Sequence, residues 1–226
     1  GRFMKKFLVF LVSLVVVVCF GLTTYYFMRN NEIITIKTKE IYCNAGDSVS
    51  LASLGIKIEK ANISKKTTFD YNAGGDEVTK FIEYDEASNS YIVSQENAGD
   101  VTLVIRTSNK KYADFTINVH IGNGSVENPY YIFSETDLMK IGSTYRLDKS
   151  YLLMNDITLT SNFKPIGYNS NTHTWETFNG AFNGNDYSIK AMNLTDIEVE
   201  NVGFFSRLGS NARISNLTIE NATISG

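Results

Sequence analysis

The sequence is poor in cysteine, histidine and tryptophan, with two, two and one of each among 226 residues. Cys19 lies inside an apolar segment and Cys43 lies beyond it, so we expect no intramolecular disulfide and no cysteine-bound metal. Positive charge is not in excess either, and the formal net charge of −3 predicts no nucleic-acid partner. Little cysteine together with many Asn, Thr, Ser and Tyr residues favours an exported bacterial surface protein over a disulfide-stapled scaffold.

Because histidine and cysteine are scarce, the sequence contains no convincing catalytic or cofactor-binding constellation. His120 and His173 fall in different predicted domains, and we interpret His120, at the polar phase of a strand, as a plain surface histidine. Four carboxylates lie near one another in the sequence: Asp186, Asp196, Glu198 and Glu200. The last two bracket a valine as solvated strand positions do, so we favour a structural role over an acid–base pair. Residues 183–186 are interpreted as a turn rather than a calcium loop. We therefore predict no enzyme activity, no cofactor and no metal.

What is present begins with a long apolar segment near the N-terminus. Residues 7–28 carry no charge, and a helix of that length, at about 1.5 Å per residue, matches the roughly 30 Å hydrocarbon layer of a bilayer. Three basic residues precede it and one follows closely, which predicts a cytoplasmic N-terminus and an external remainder. We predict a single-pass signal anchor over residues 1–30. A cleaved signal peptide and a lipoprotein modified at Cys19 are the alternatives.

The middle of the chain alternates apolar and polar residues with period two. This alternation is found at residues 34–36, 49–51, 56–58, 101–105 and 115–119. Turn-forming Asn, Gly and Asp residues separate these segments. Several short, half-buried antiparallel strands within about 90 residues predict a small β-sandwich over residues 31–122. The Gly-Asn-Gly-Ser run at residues 122–125 predicts a brief flexible joint after it.

Three segments of this region are similar to bacterial Ig-like modules: residues 45–51, 98–105 and 113–119. The resemblance implies an Ig-like sandwich, which we expect to act as a stalk. The tryptophan usual in strand C of such modules is absent, since the single tryptophan is Trp175.

The last third of the chain repeats one motif in degraded form, at residues 155–159, 187–194 and 212–219. Each copy alternates apolar and polar residues and then reaches Asn or Gly, as a β-strand followed by a turn does. One such rung cannot bury its face alone, so a stack of rungs is predicted. A short helix over residues 134–141, begun by Ser134, is predicted to cover the open end of the first rung.

An ordered series of short motifs carries a second resemblance: residues 127–132, 134–141, 151–159, 163–167, 178–189 and 202–206. The series resembles the GLUG-type repeat region of bacterial surface proteins and covers about residues 126–226. It implies a right-handed parallel β-helix over residues 123–226. The family's Gly-Leu-x-Gly core stands here as Gly203-Phe204-Phe205-Ser206, with serine in place of the second glycine.

One polar segment with interspersed aromatics, residues 168–178, looks added to the repeat scaffold. Loops that project from a rigid scaffold commonly carry binding residues, and Trp or Tyr can stack on a sugar or anchor a protein. Our candidate ligand-binding residues are Tyr168, His173 and Trp175. The alternative is that Trp175 and Phe178 simply pack over the neighbouring rung.

The sequence thus predicts an all-β chain with an N-terminal transmembrane helix, an Ig-like β-sandwich and the start of a right-handed parallel β-helix with a short capping helix. The predicted function is that of a membrane-anchored extracellular bacterial surface protein with a structural, adhesive role. Its expected partners are the membrane, through residues 7–28, and a host or cell-wall glycan or protein. The alternative is the N-terminal, non-catalytic part of a larger surface protease or polysaccharide-degrading enzyme.

Overall fold

A computed structural model describes residues 33–59, 67–169, 171–195 and 202–225. Within these residues the chain is built from short strands, one 3-10 turn and two short helices, which confirms the predicted all-β class. No helix in this part of the chain is long and apolar enough to cross a membrane. The anchor predicted over residues 7–28 lies outside the described residues.

The amino-terminal unit comprises the first nine strands. Their bounds are β1 Ile33–Ile36, β2 Glu40–Asn44, β3 Ser48–Ser50, β4 Ile56–Glu59, β5 Phe69–Asp70, β6 Ile82–Asp85, β7 Ser90–Val93, β8 Gly99–Thr107 and β9 Phe115–Gly122. A 3-10 turn, Leu51–Leu54, follows β3, and helix α1, Asp76–Thr79, precedes β6. The strands form a four-stranded sheet of order β2-β9-β8-β5, a three-stranded sheet of order β3-β7-β6 and the pair β1-β4.

Period-two alternation sets the burial of this unit as predicted. In β9, Ile117, Val119 and Ile121 are buried. They join Leu103 of β8 and Tyr91 of β7 in one hydrophobic cluster, so the four- and three-stranded sheets share a core. The alternation therefore places one face of each sheet inward.

The prediction of uniformly antiparallel strands is wrong for one pair. β2 runs parallel to β9, with Cα partners from Glu40 and Asn118 to Asn44 and Gly122. Alternation reports which face of a strand is buried and carries no information on strand direction. Because these strands are far apart in the chain, no hairpin turn forces them to be antiparallel.

The carboxyl-terminal unit contains the remaining elements. Their bounds are β10 Tyr130–Ile132, α2 Glu135–Met139, β11 Ser150–Leu153, β12 Ile157–Thr158, β13 Tyr168–Asn169, β14 Thr174–Trp175, β15 Ala181–Asn183, β16 Ser188–Lys190, β17 Asn193–Leu194, β18 Arg213–Ser215, β19 Thr218–Glu220 and β20 Thr223–Ile224. Three parallel sheets run through it, of order β10-β11-β15-β18, β12-β16-β19 and β17-β20. The strands therefore stack as rungs, as the repeated motif predicted.

Each parallel sheet aligns like side chains from rung to rung. Tyr151 pairs with Phe182, and Phe182 pairs with Ile214 of the next rung. Tyr151 and Phe182 lie at 1% and 0% exposure, whereas Ile214 in the last described rung is 38% exposed. The apolar ladder inside the stack is thus closed on its earlier rungs and more open on the last one described.

Helix α2 follows the first rung strand β10, near the position where a short helix was predicted. Ser134 precedes it in extended conformation, and its hydroxyl accepts a hydrogen bond of 3.2 Å from the backbone N of Asp137. Leu138 is fully buried in the core of the unit. The helix ends at Met139, with Lys140 as its C-cap, before the predicted end at residue 141. Gly142 follows in the left-handed conformation, with a φ of +92°.

The joint at residues 122–125 is a hydrogen-bonded turn, so the prediction of a flexible joint is wrong. The backbone N atoms of Asn123 and Gly124 both donate to the carbonyl of Asn128, at 2.9 and 3.0 Å. The buried side chain of Asn44 accepts from the backbone N of Tyr131 at 2.8 Å and donates to its carbonyl at 2.9 Å. Asn44 thereby hydrogen-bonds the edge of β10 as a neighbouring strand would, and it ties the two units together.

We expect the substitution Asn44→Ala to lower the free energy of unfolding by about 2 kcal/mol, because it leaves the buried backbone N and O of Tyr131 without partners. Urea denaturation followed by circular dichroism measures this change. Asn162→Ala, which truncates an exposed asparagine, is the matched control and should change stability by less than about 0.5 kcal/mol. Equal stabilities for the two variants would show that Asn44 does not hold the junction.

His120 also lies beside this junction, and the interpretation of a plain surface histidine is wrong. Its side chain is only 22% exposed, with Nδ1 at 2.7 Å from the Asp100 carboxylate. Its ring stacks on Tyr42 with a centroid separation of 4.4 Å, and Tyr42 meets Tyr131 edge-on at 5.2 Å. The parallel pairing of β2 with β9 places Tyr42 directly opposite His120, and that pairing could not be read from the sequence.

Candidate binding hairpin and groove

The segment at residues 168–178 begins as a β-hairpin rather than an irregular loop. β13 and β14 are antiparallel, with Tyr168 opposite Trp175 and Asn169 opposite Thr174. At the tip, the Asn169 side-chain oxygen accepts hydrogen bonds from the backbone N atoms of Asn171 and Thr172, at 3.0 and 3.3 Å. Side-chain hydrogen bonds of this kind stabilise a turn locally, so the tip of the hairpin is held by contacts within the hairpin itself.

The hairpin brings the three predicted site residues together. The rings of Tyr168 and Trp175 lie 4.6 Å apart at an interplanar angle of 33°. The Tyr168 hydroxyl lies 3.0 Å from Nδ1 of His173. His173 is exposed, and both Tyr168 and Trp175 are half-buried. Trp175 therefore packs against Tyr168, while Phe178 is fully buried in the core of the unit.

The base of the hairpin is held to the rungs by close backbone contacts. Gly167 has a φ of +91°, and a Cβ on it would lie 2.5 Å from both the Glu176 carbonyl and the Ser206 hydroxyl. Only glycine fits this close approach. The Ser206 hydroxyl donates a hydrogen bond of 3.0 Å to the Glu176 carbonyl, and the Glu176 N donates to the Gly167 carbonyl at 2.8 Å. Ser206 thus helps to anchor the hairpin to the rungs.

A groove of about 530 Å³ lies between helix α2 and the hairpin, and we call it the cap–hairpin groove. Its lining includes Met139, Ser143, Lys164, Tyr168, Asn169 and Asn171. Neither Trp175 nor His173 belongs to the lining, so Trp175 supports the Tyr168 ring from outside the groove. The sequence analysis identified Tyr168 but missed the other lining residues, because the groove is formed by segments that have no regular spacing in the sequence. The only sequence feature that pointed to Lys164 was its position shortly before Tyr168.

The polar groups of the groove are amides, hydroxyls and one amine. Its described lining contains no histidine, cysteine or carboxylate, while Ser143, Lys164 and Tyr168 supply the hydroxyl and amine groups. No group of three His, Cys, Asp or Glu residues in the described ranges could hold a metal ion. Asp186 is exposed in a turn with φ of 63°, and the carboxylates at positions 196, 198 and 200 lie outside the described residues.

Asp156 and Cys43, two titratable groups outside the groove, have structural roles. A hydrogen bond of 2.7 Å from Lys190 in the adjacent rung lowers the pKa of the exposed Asp156 carboxyl. Burial raises the pKa of the Cys43 thiol to about 12. A thiol with such a pKa stays protonated at neutral pH and is a poor nucleophile. Asp156 thus joins two neighbouring rungs, and Cys43 belongs to the core of the amino-terminal unit.

Comparison with known proteins gives two relatives and no family. The chain is 30% identical over 194 residues to halomucin of Haloquadratum walsbyi, a match that covers 81% of this chain and 2% of that protein. It is also 30% identical over 105 residues to a putative Gly-rich membrane protein of Evansella cellulosilytica, covering 43% of this chain and 12% of that protein. The chain therefore spans only a small part of either relative. No family model matches, and no solved structure matches.

Proposed function

We propose that this chain is part of an extracellular bacterial surface protein that binds a partner through the cap–hairpin groove and performs no chemistry there. In this proposal residues 7–28 anchor the chain in the membrane by a single span. The amino-terminal unit is an Ig-like stalk, and the carboxyl-terminal unit is a right-handed parallel β-helix of GLUG type. The groove carries adhesion to a glycan.

Two observations support the architecture. The seven strands of the two main sheets divide into orders β2-β9-β8-β5 and β3-β7-β6 around one core, a division into four and three strands that Ig-like sandwiches share. The parallel rungs of the carboxyl-terminal unit fit a β-helix. The similarity to a putative Gly-rich membrane protein supports a location at a membrane.

The observation that carries the binding role is the hairpin itself. Its base is fixed to the rungs and its tip is held by side-chain hydrogen bonds, so Tyr168 stands in a defined position at the edge of a groove. A rigid scaffold that presents an aromatic side chain together with polar groups is the usual form of a binding site. The described lining holds no carboxylate, histidine or cysteine that could form a catalytic pair with the Ser143 hydroxyl, which favours adhesion over catalysis.

The proposal is tested by replacing Tyr168 with alanine and measuring retention of the purified protein on an array of immobilised oligosaccharides. We expect at least a tenfold loss of binding, about 1.4 kcal/mol, because the variant removes the aromatic surface at the edge of the groove. The melting temperature should change by only a few degrees, since Tyr168 is half-buried and outside the rung core.

Tyr187→Ala is the matched control, because Tyr187 is 37% exposed and does not line the groove. This variant should bind as the unchanged protein does. Equal binding by Tyr168→Ala and Tyr187→Ala would count against the groove as the adhesive site. Absence of binding by the unchanged protein to any oligosaccharide of the array would count against glycan adhesion itself.

A further inference from the structure

The cap–hairpin groove contains a positively charged side chain that has no ion-pair partner among the described residues. Lys164 is the one charged residue of the described lining, and it is exposed. It takes part in none of the ion pairs found among the described residues, although the whole chain has a net charge of −3. A cation without a neighbouring carboxylate in a concave site attracts an anionic ligand.

The other lining groups are suited to a sugar. Trp175 covers one side of the Tyr168 ring, and Tyr168 itself borders the groove. An aromatic face packs well on the C–H groups of a sugar ring. The Asn169 side-chain oxygen is already used within the turn, and its Nδ2 group donates to none of the described residues. Asn171 adds a second amide that can both donate and accept, as sugar hydroxyls require.

The size and composition of the groove argue against other anionic ligands. Its volume of about 530 Å³ lies within the usual range of roughly 300–1,000 Å³ for small-ligand sites. Lys164 supplies one positive charge, which matches the single negative charge of a carboxylate better than the roughly −2 charge of a phosphate monoester. An ammonium group binds a carboxylate through charge-assisted hydrogen bonds, with other donors beside it.

We infer that the cap–hairpin groove binds a carboxylated oligosaccharide, with a sugar ring against Tyr168, its hydroxyls at Asn169 and Asn171, and its carboxylate at Lys164. The inference rests on the proposed adhesive function and adds the class of glycan. Two sources supply this chemistry, uronic-acid polysaccharides and sialylated host glycans. Both present a carboxylate on a hydroxylated ring, and the experiment separates them.

The test measures binding of the purified chain to matched acidic and neutral probes at low salt. One pair is oligogalacturonate and its methyl ester, and the other is sialyllactose and lactose. We expect at least a tenfold preference for the acidic member of one pair, and that pair identifies the source. The preference should fall as salt rises, because the ion pair is exposed to solvent.

Lys164→Gln should abolish the preference and leave weak binding to the neutral probe, whereas Lys164→Arg should retain most of it. Lys110→Gln, which removes the same charge at an exposed position in the amino-terminal unit, is the control and should leave the preference unchanged. An unchanged preference in Lys164→Gln, or equal binding of acidic and neutral probes, would overturn the inference. The proposed function would survive that result if Tyr168→Ala still lost binding. Failure of the unchanged chain to bind any of the four probes would overturn the inference as well.

Discussion

Replacing Phe182 by alanine is expected to lower the free energy of unfolding of the carboxyl-terminal unit by about 4 kcal/mol. Phe182 is fully buried in the middle of the stack. Its ring lies 5.7 Å from that of Phe204, 5.8 Å from Phe205 and 6.4 Å from Tyr151. Truncation removes these contacts and leaves a cavity that the fixed rungs on either side cannot fill by collapsing.

Urea denaturation measures this loss, and tryptophan fluorescence assigns it to a unit. The chain has one tryptophan, Trp175, and it lies in the carboxyl-terminal unit, so its emission reports unfolding there. Phe133→Ala makes the same chemical change at a side chain that is 39% exposed and should cost about 1 kcal/mol. Equal shifts for the two variants would mean that the interior of the stack is loosely packed.

The sequence predicts the strands of this molecule better than their pairing. Alternation located β8 and β9, and it correctly placed Leu103, Ile105, Ile117 and Val119 inward. The parallel pairing of β2 with β9 was missed, because a period of two records burial and is blind to direction. The repeated motif succeeded for the rungs because a strand that cannot bury its face alone implies neighbours of its own kind.

The site was predicted in part for a similar reason. Tyr168, His173 and Trp175 are close in sequence, so a single unusual segment revealed all three. Lys164 is contributed by the preceding loop and Ser143 by the turn after α2, and only the folded chain brings them to one groove. The role of Trp175 could also be established only from the structure. Its ring supports Tyr168 and stays outside the groove lining, which makes Tyr168 the better candidate for ligand contact.

The prediction of a flexible joint between the two units failed because it relied on amino-acid composition alone. Glycine and asparagine suggested flexibility at residues 122–125, yet both glycines meet neighbouring atoms that leave no room for a side chain. A Cβ on Gly122 would overlap the Pro129 carbonyl and lie 3.0 Å from the Asn44 side-chain oxygen. Glycine here permits close approach of two backbones, which is the opposite of a hinge.

Gly122→Ala is therefore expected to disrupt the junction and to lower the free energy of unfolding by about 3 kcal/mol, because the backbone carbonyl of Pro129 must move to admit the methyl group. The displacement should break the two hydrogen bonds between Asn44 and Tyr131 and separate the unfolding of the two units. Urea curves from Trp175 fluorescence and from far-UV circular dichroism, which coincide in a two-state transition, should then diverge. Limited proteolysis should reveal new cleavage between residues 122 and 130.

Gly203→Ala is the control, since the nearest atom to an added Cβ there is the Phe205 carbonyl oxygen at 3.3 Å, and a small shift relieves that contact. Gly122→Ala protein that unfolds as one unit and resists the protease would mean that the joint tolerates a side chain and that flexibility, as the sequence suggested, is the better description.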